Sequence, residues 1–170
     1  AKNTEFVIGM SGPLTGGAAV YGTAVKNSAQ MAVDEINAAG GLNGYKFKLV
    51  ATDDQHDATK VATNYSSMME QYGMQVSLGT VTSAPALEFK NLSVEDNVFF
   101  LTPSASADEI PEFDNGYQMC FADGNQGKVA AAFVNENYAG QTIGLFYKSD
   151  DAYSKGIYEQ FKANLSADVS

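Results

Sequence analysis

Short β-prone runs alternate along this chain with longer stretches in which apolar residues recur every three or four positions. Glu5 to Met10 is the first such run, followed by a loop rich in Gly, Ser and Pro from Ser11 to Gly22. Val25, Ala29, Ala32, Val33 and Ile36 then line one helical face, and Gly40-Gly41 just beyond them favours a left-handed cap and a turn. The same reading predicts strands over Tyr45 to Ala51, Met74 to Gly79, Val98 to Leu101 and Thr142 to Tyr147. It predicts helices over Asp57 to Tyr72, Ser83 to Asp96, Asn125 to Tyr138 and Asp151 to Leu165. A looser segment with Pro103 and Pro111 precedes a further β-prone run, Tyr117 to Phe121. Regular β–α alternation implies a parallel sheet with right-handed crossovers and helices on both faces, a doubly wound α/β architecture whose ligands sit at the carboxyl ends of the strands.

Composition narrows the partners. With 170 residues, 45% hydrophobic and 18% charged, the chain can bury a core. Its ten basic residues are all lysines, set against twenty acids, for a formal charge of -10. No basic patch is available to hold nucleic acid, and an anionic membrane surface would repel the chain. The apolar runs have strand length and fall short of a membrane span. The single cysteine, Cys120 within Gly116-Tyr-Gln-Met-Cys-Phe, reads as a buried apolar thiol and cannot form an internal disulfide. No signal peptide is visible, and Ala1-Lys-Asn-Thr-Glu fits either a processed start or an arbitrary boundary. The end at Ala167-Asp-Val-Ser170 reads as a cut before another strand.

The loops leaving strands one, three and four carry the chemistry. Strand three leaves through Gly79-Thr-Val-Thr-Ser83, where Ser83 stands as a helix N-cap with Pro85 in the first turn. Free N–H groups, the positive end of the helix dipole and a hydroxyl can hold a carboxylate without a cationic side chain. The alternative is that Ser83 only caps its own helix. Strand four leaves through Thr102-Pro-Ser-Ala-Ser106, adding the hydroxyls of Ser104 and Ser106, which would otherwise read as an ordinary polar turn. Tyr21, just before the first helix, is placed to wall a pocket. The glycines of the first loop lack the spacing of a nucleotide-binding loop. The cluster Asp53-Asp-Gln-His-Asp57 reads as acids that end a strand and cap the next helix, with a metal or phosphoacceptor site as the rival. One His and one Cys support no catalytic triad. No metal and no cofactor is expected.

Ile8-Gly-Met-Ser-Gly-Pro-Leu-Thr-Gly-Gly-Ala-Ala-Val-Tyr-Gly22 followed by Ala32-Val-Asp-Glu-Ile-Asn-Ala-Ala-Gly-Gly-Leu-Asn-Gly44 resembles the periplasmic leucine/isoleucine/valine-binding protein family. Asp53-Asp54, Gly79 with Ser83, Leu101-Thr-Pro-Ser-Ala-Ser106, Asn125-Gln-Gly127 and Asp151-Ala-Tyr-Ser-Lys-Gly156 continue the resemblance in family order. It implies the N-terminal half of a type I periplasmic-binding-protein-like chain of two lobes, residues 1–119 belonging to lobe one and 120–170 beginning lobe two. It also implies capture of an amino acid or similar small carboxylate by hinged closure, and delivery to the membrane permease of an ABC importer. The implied location is the periplasm or the cell exterior, a lipid-anchored precursor included.

By motif position the resemblance assigns Ser83 and Ser106 to the ligand carboxylate, with main-chain contacts from Ser104 and with Ala105 between them as a further ligand-binding residue. It places Tyr21, Val81 and Thr82 in the pocket wall of lobe one, Tyr153 closing from lobe two, and Asp123 as a further contact. The family's acid for the ligand ammonium falls outside this sequence. Some members carry a disulfide where this chain has His56 and Thr82, and the pair Ser104 and Ser106 is more polar than in leucine binders. Two rivals stay open: a sensory domain of the same fold in a receptor or regulator, and a flavodoxin-like or response-regulator enzyme motivated by Asp53-Asp54 and Lys148.

Overall fold

Strand β1 (Glu5–Gly12) lies inside a parallel sheet of five strands in the order β2-β1-β3-β4-β5. The computed structural model describes residues 5–169. After β1 come α1 (Ala19–Ala38), β2 (Lys46–Asp53), α2 (Val61–Glu70), β3 (Val76–Ser77), α3 (Ser83–Glu95), β4 (Phe99–Thr102), β5 (Gly116–Gln118), α4 (Asp123–Asn137) and α5 (Ala152–Ala163). Short 3-10 turns precede α2 and β5. β1 pairs with β2 from Glu5 opposite Lys46 to Gly12 opposite Asp53, and on its other side with β3.

The chain forms two units, one holding the residues up to Ala105 together with Ile110–Met119, the other Ser106–Glu109 together with the residues from Cys120 on. In the first unit, β1-α1-β2 steps one way along the sheet and β2-α2-β3 steps back past β1. Right-handed crossovers therefore place α1 on one face and α2 on the other. The core on the α2–α3 side is aromatic: Tyr65 of α2 packs edge-on against Phe89 of α3 at 5.2 Å, and Phe89 against Phe100 of β4 at 5.5 Å. The Tyr65 hydroxyl donates to Asp96. Burial and that carboxylate both raise its pKa.

α1 ends as the glycine pair predicts. Gly40 (φ 108°) and Gly41 (φ 83°) adopt the left-handed region, and their N–H groups donate to the Asn37 and Ile36 carbonyls. Two details of this region differ from the sequence reading. The helix begins at Ala19, so Tyr21 lies within its first turn and the loop is shorter than Ser11 to Gly22. Of the five residues assigned to the inner face only Val33 is buried, because α1 packs chiefly against β2; Met31 and Ile36 remain exposed, and an apolar groove of about 440 Å³ lies between α1, Leu78 and Pro103.

The predicted strand Thr142 to Tyr147 forms no ladder, since no strand runs beside it among the described residues, and Phe146 is fully exposed there. Cys120 is half-buried, because it follows the edge strand β5 between the exposed Met119 and Phe121. In the second unit α4 and α5 pack on each other with Ala131 and Phe161 buried.

Lys90 of α3 is buried, and its ammonium meets Glu112 at 2.6 Å and the Phe113 ring at 5.5 Å. Glu112→Ala should cost about 2 kcal/mol by depriving a desolvated cation of its carboxylate, whereas Lys90→Met should be close to neutral because the stem already packs as carbon. Urea denaturation of the two variants checks this; equal losses would refute it.

Candidate functional site

The strand order reverses at β1 and β3, so the crevice outside their carboxyl ends is where an open α/β sheet receives a ligand. Three segments meet at that edge. The β1 exit is fastened by Asp53: its carboxylate accepts from Leu14 N–H at 2.8 Å, and from the Thr15 hydroxyl. Burial alone would raise Asp53, but these bonds together with those from Gln55 and Thr15 N–H outweigh it and hold its pKa below the ordinary value. Asp54 is fully buried, accepts from the Ser11 hydroxyl at 3.1 Å and from His56 N–H at 2.9 Å, and is raised by burial. Asp57 accepts from Thr59 N–H and caps the turn before α2. The acidic cluster thus secures the first loop and the next helix, and no group of three or more His, Cys, Asp or Glu side chains suited to a metal occurs among the described residues.

The β3 exit packs between its neighbours. Ser11 N–H donates to the Gly79 carbonyl at 3.2 Å, and a Cβ on Gly79 would lie 2.8 Å from Thr102 Cγ2, so the φ of 53° and the close approach both select glycine. Thr80 and Val81 are fully buried beyond it. The N-cap of α3 is Thr82, whereas the sequence placed Ser83 there; Ser83 is the first helical residue, 4% exposed. The reason lies in backbone conformation: Thr82 is extended (φ -121°, ψ 153°) and its hydroxyl makes no capping bond. That hydroxyl is buried with no hydrogen-bond partner among the described residues. Pro85 occupies the first turn, as read from sequence, and offers no N–H.

From β4, the Thr102 hydroxyl donates to the Ala105 carbonyl at 3.2 Å and curls Pro103-Ser104 into a tight loop. Ser104 is half-buried and Ala105 buried. The first unit therefore gathers Val81, Thr82, Ser83, Ser104 and Ala105 at the ends of adjacent strands, with Tyr21 standing 60% exposed on the first turn of α1 at the same edge of the sheet.

The remaining candidates belong to the second unit. Ser106 is buried, and its carbonyl accepts from Asp123 N–H at 2.8 Å. Asp123 opens α4 and is 1% exposed. Burial pushes its carboxyl up to about 6; the Ser106 hydroxyl opposes this, and Asp108, Asp151 and Glu109 add to it. Tyr153 lies in the first turn of α5, 43% exposed, just after Asp151, which caps that helix through Ser154 N–H. Thr102 and Asp108 were not singled out from sequence. Neither had a local signal, since each acts on a backbone group that only the fold brings near it.

Comparison with known proteins places the fold in a family. The sequence profile of a family described as periplasmic binding protein matches residues 5–168. A Leu/Ile/Val-binding protein, BraC3, of Rhizobium johnstonii is 35% identical over 97% of this chain and 45% of its own length. A leucine-, isoleucine-, valine-, threonine- and alanine-binding protein of Pseudomonas aeruginosa is 33% identical over 93% of this chain and 42% of its own. Among solved structures, the branched-chain amino acid transporter substrate-binding protein LivJ of Streptococcus pneumoniae, in complex with isoleucine, superposes with a TM-score of 0.87 at 28% identity. That match covers 97% of this chain and 48% of LivJ. The ABC transporter solute-binding protein of Rhodopseudomonas palustris BisB5, in complex with 3,4-dihydroxybenzoic acid, shares the fold with a TM-score of 0.83 at 18% identity over 96% of this chain and 44% of its own. The chain spans about half the length of the relatives it matches.

Proposed function

Because the chain belongs to the periplasmic binding protein family, we propose that it forms part of the solute-binding component of an ABC importer, capturing an amino acid or related small carboxylate for a membrane permease. The observation that supports this most directly is that β3 and β4 pair in parallel, so that their exits leave the sheet side by side, the first of them leading into α3. There the N–H groups of Ser83 and Ala84 head a 13-residue helix with no side-chain cap, and Thr82, Ser83 and Ser104 supply hydroxyls on the two exits. A carboxylate at that point gains charge-assisted hydrogen bonds and the helix dipole. Neither loop contains a lysine, so the backbone supplies the positive potential.

On this reading Val81, Thr82, Ser83, Ser104, Ala105, Ser106 and Tyr21 are the contacts from lobe one (residues 1–119), and Asp123 and Tyr153 those from lobe two (from residue 120). Closure of the lobes is favoured because the bound ligand interacts better with the closed state. The branched-chain amino acid specificities of the named relatives and the isoleucine in LivJ support an amino acid as cargo. A family described as periplasmic supports the periplasm or cell exterior as the site of action. No helix among the described residues is long and apolar enough to cross a membrane.

Titration calorimetry of the full-length protein against leucine, isoleucine, valine, threonine, alanine, benzoate and the matching amides tests the assignment. Heat is expected from at least one carboxylate, with its amide silent. No response to any carboxylate would refute it.

A further inference from the structure

α4 begins without a cap of its own. Its N-cap residue is Ala122, which has no side-chain acceptor, so the first N–H groups of the helix need partners from elsewhere. The segment Ser106–Glu109 supplies them. Asp123 N–H donates to the Ser106 carbonyl at 2.8 Å, and Gly124 N–H donates to Asp108 Oδ2 at 2.9 Å. Position 124 is matched to this arrangement, since a Cβ there would stand 2.6 Å from Asp108 Oδ2. The Asp108 carboxylate also faces the positive end of the α4 dipole.

We propose that Asp108 is a positioning residue for the ligand site: by capping α4 from 16 residues upstream it fixes the segment that carries Ser106. The proposal rests on the reading of Ser106 as a ligand contact. Ser106 lies in no helix or strand and is bonded to Asp123 at the start of α4, so its place follows that helix start. Its downstream flank is the pair of bonds to the start of α4. Without Asp108, one of the two is lost and the segment samples conformations in which Ser106 is misplaced. A purely structural role predicts something different, namely that any comparable weakening of α4 would have the same effect. Lys128→Gly, at an exposed position inside α4, provides that comparison because it loosens the helix without touching the loop.

The test uses the full-length protein and its Asp108→Ala, Asp108→Asn and Lys128→Gly variants. Hydrogen exchange over residues 103–109 should quicken on the order of tenfold in Asp108→Ala, the scale of a lost cap. It should stay near the unmodified rate in Asp108→Asn, whose amide oxygen accepts the same bond, and in Lys128→Gly. Calorimetry with L-isoleucine, or benzoate if isoleucine gives no heat, should show affinity weakened by about tenfold in Asp108→Ala alone. Unchanged loop exchange in Asp108→Ala, equal quickening in Lys128→Gly, or a loosened loop with unchanged affinity would each overturn the positioning role. If neither probe binds the unmodified protein, the failure lies with the proposed function, and loop exchange still decides whether Asp108 holds the segment.

Discussion

If Ser83 holds the ligand carboxylate as proposed, replacing it by aspartate should weaken binding about a thousandfold while leaving the chain folded. Ser83 is the first residue of α3, on the exit from β3, and 4% exposed. An acidic side chain at the first position of a helix is compatible with the dipole, so the helix itself tolerates the change. A bound carboxylate does not. Two like charges about 4 Å apart in a medium of effective dielectric near 20 repel by about 4 kcal/mol, close to a thousandfold in affinity. Ser83→Ala removes only a hydroxyl and should cost roughly tenfold, since the backbone N–H groups remain. Calorimetry of both variants, with thermal melts alongside, separates the cases. Retained affinity in Ser83→Asp would place the carboxylate elsewhere.

The second large effect is on stability. The Asp123 carboxyl, 1% exposed, is raised from an ordinary 3.8 to about 6 by burial and by the neighbouring acids. A group whose folded pKa lies above its unfolded one binds protons more readily in the folded state. Its contribution is fully present below about pH 4 and is lost as pH rises through about 6. The shift corresponds to on the order of 2–3 kcal/mol. Asp123→Asn keeps the size of the side chain and removes the charge. Its stability at pH 7 should therefore exceed that of the unmodified chain by about this amount, and the two should converge near pH 4. Urea denaturation between pH 4 and 8 measures the difference; parallel profiles would show that Asp123 does not titrate in this way. If Asp123 is a ligand contact as proposed, the Asn variant should also change affinity for the ligand while gaining stability.

Much of this was legible before any coordinates. The alternation of β-prone runs and 3.6-period segments specified the parallel sheet, because strands buried on both faces and helices buried on one leave different apolar spacing in the chain. The Gly40-Gly41 stop was readable for the same local reason: only glycine enters the left-handed region without cost. Hydroxyl-rich exits from strands three and four could be named as candidate carboxylate contacts because Ser and Thr near a helix start carry their chemistry with them.

What the sequence left open depended on partners distant along the chain. Whether Thr142 to Tyr147 becomes a strand depends on having a neighbour to pair with, and no local pattern encodes that neighbour. Thr82, not Ser83, occupies the N-cap because the fold holds its backbone extended, while either residue type satisfies the sequence rule. The fold also decided that β1 and β3 are adjacent, which turns separate loops into one crevice. It likewise decided that Asp108 and Ser106 cap α4, and that Asp123 is desolvated enough to raise its pKa. Sequence thus determined the elements and the kinds of group they carry, since both are set by nearest neighbours in the chain. Tertiary structure decided which groups meet and in what charge state, since burial and hydrogen-bond partners come from residues brought close only by folding.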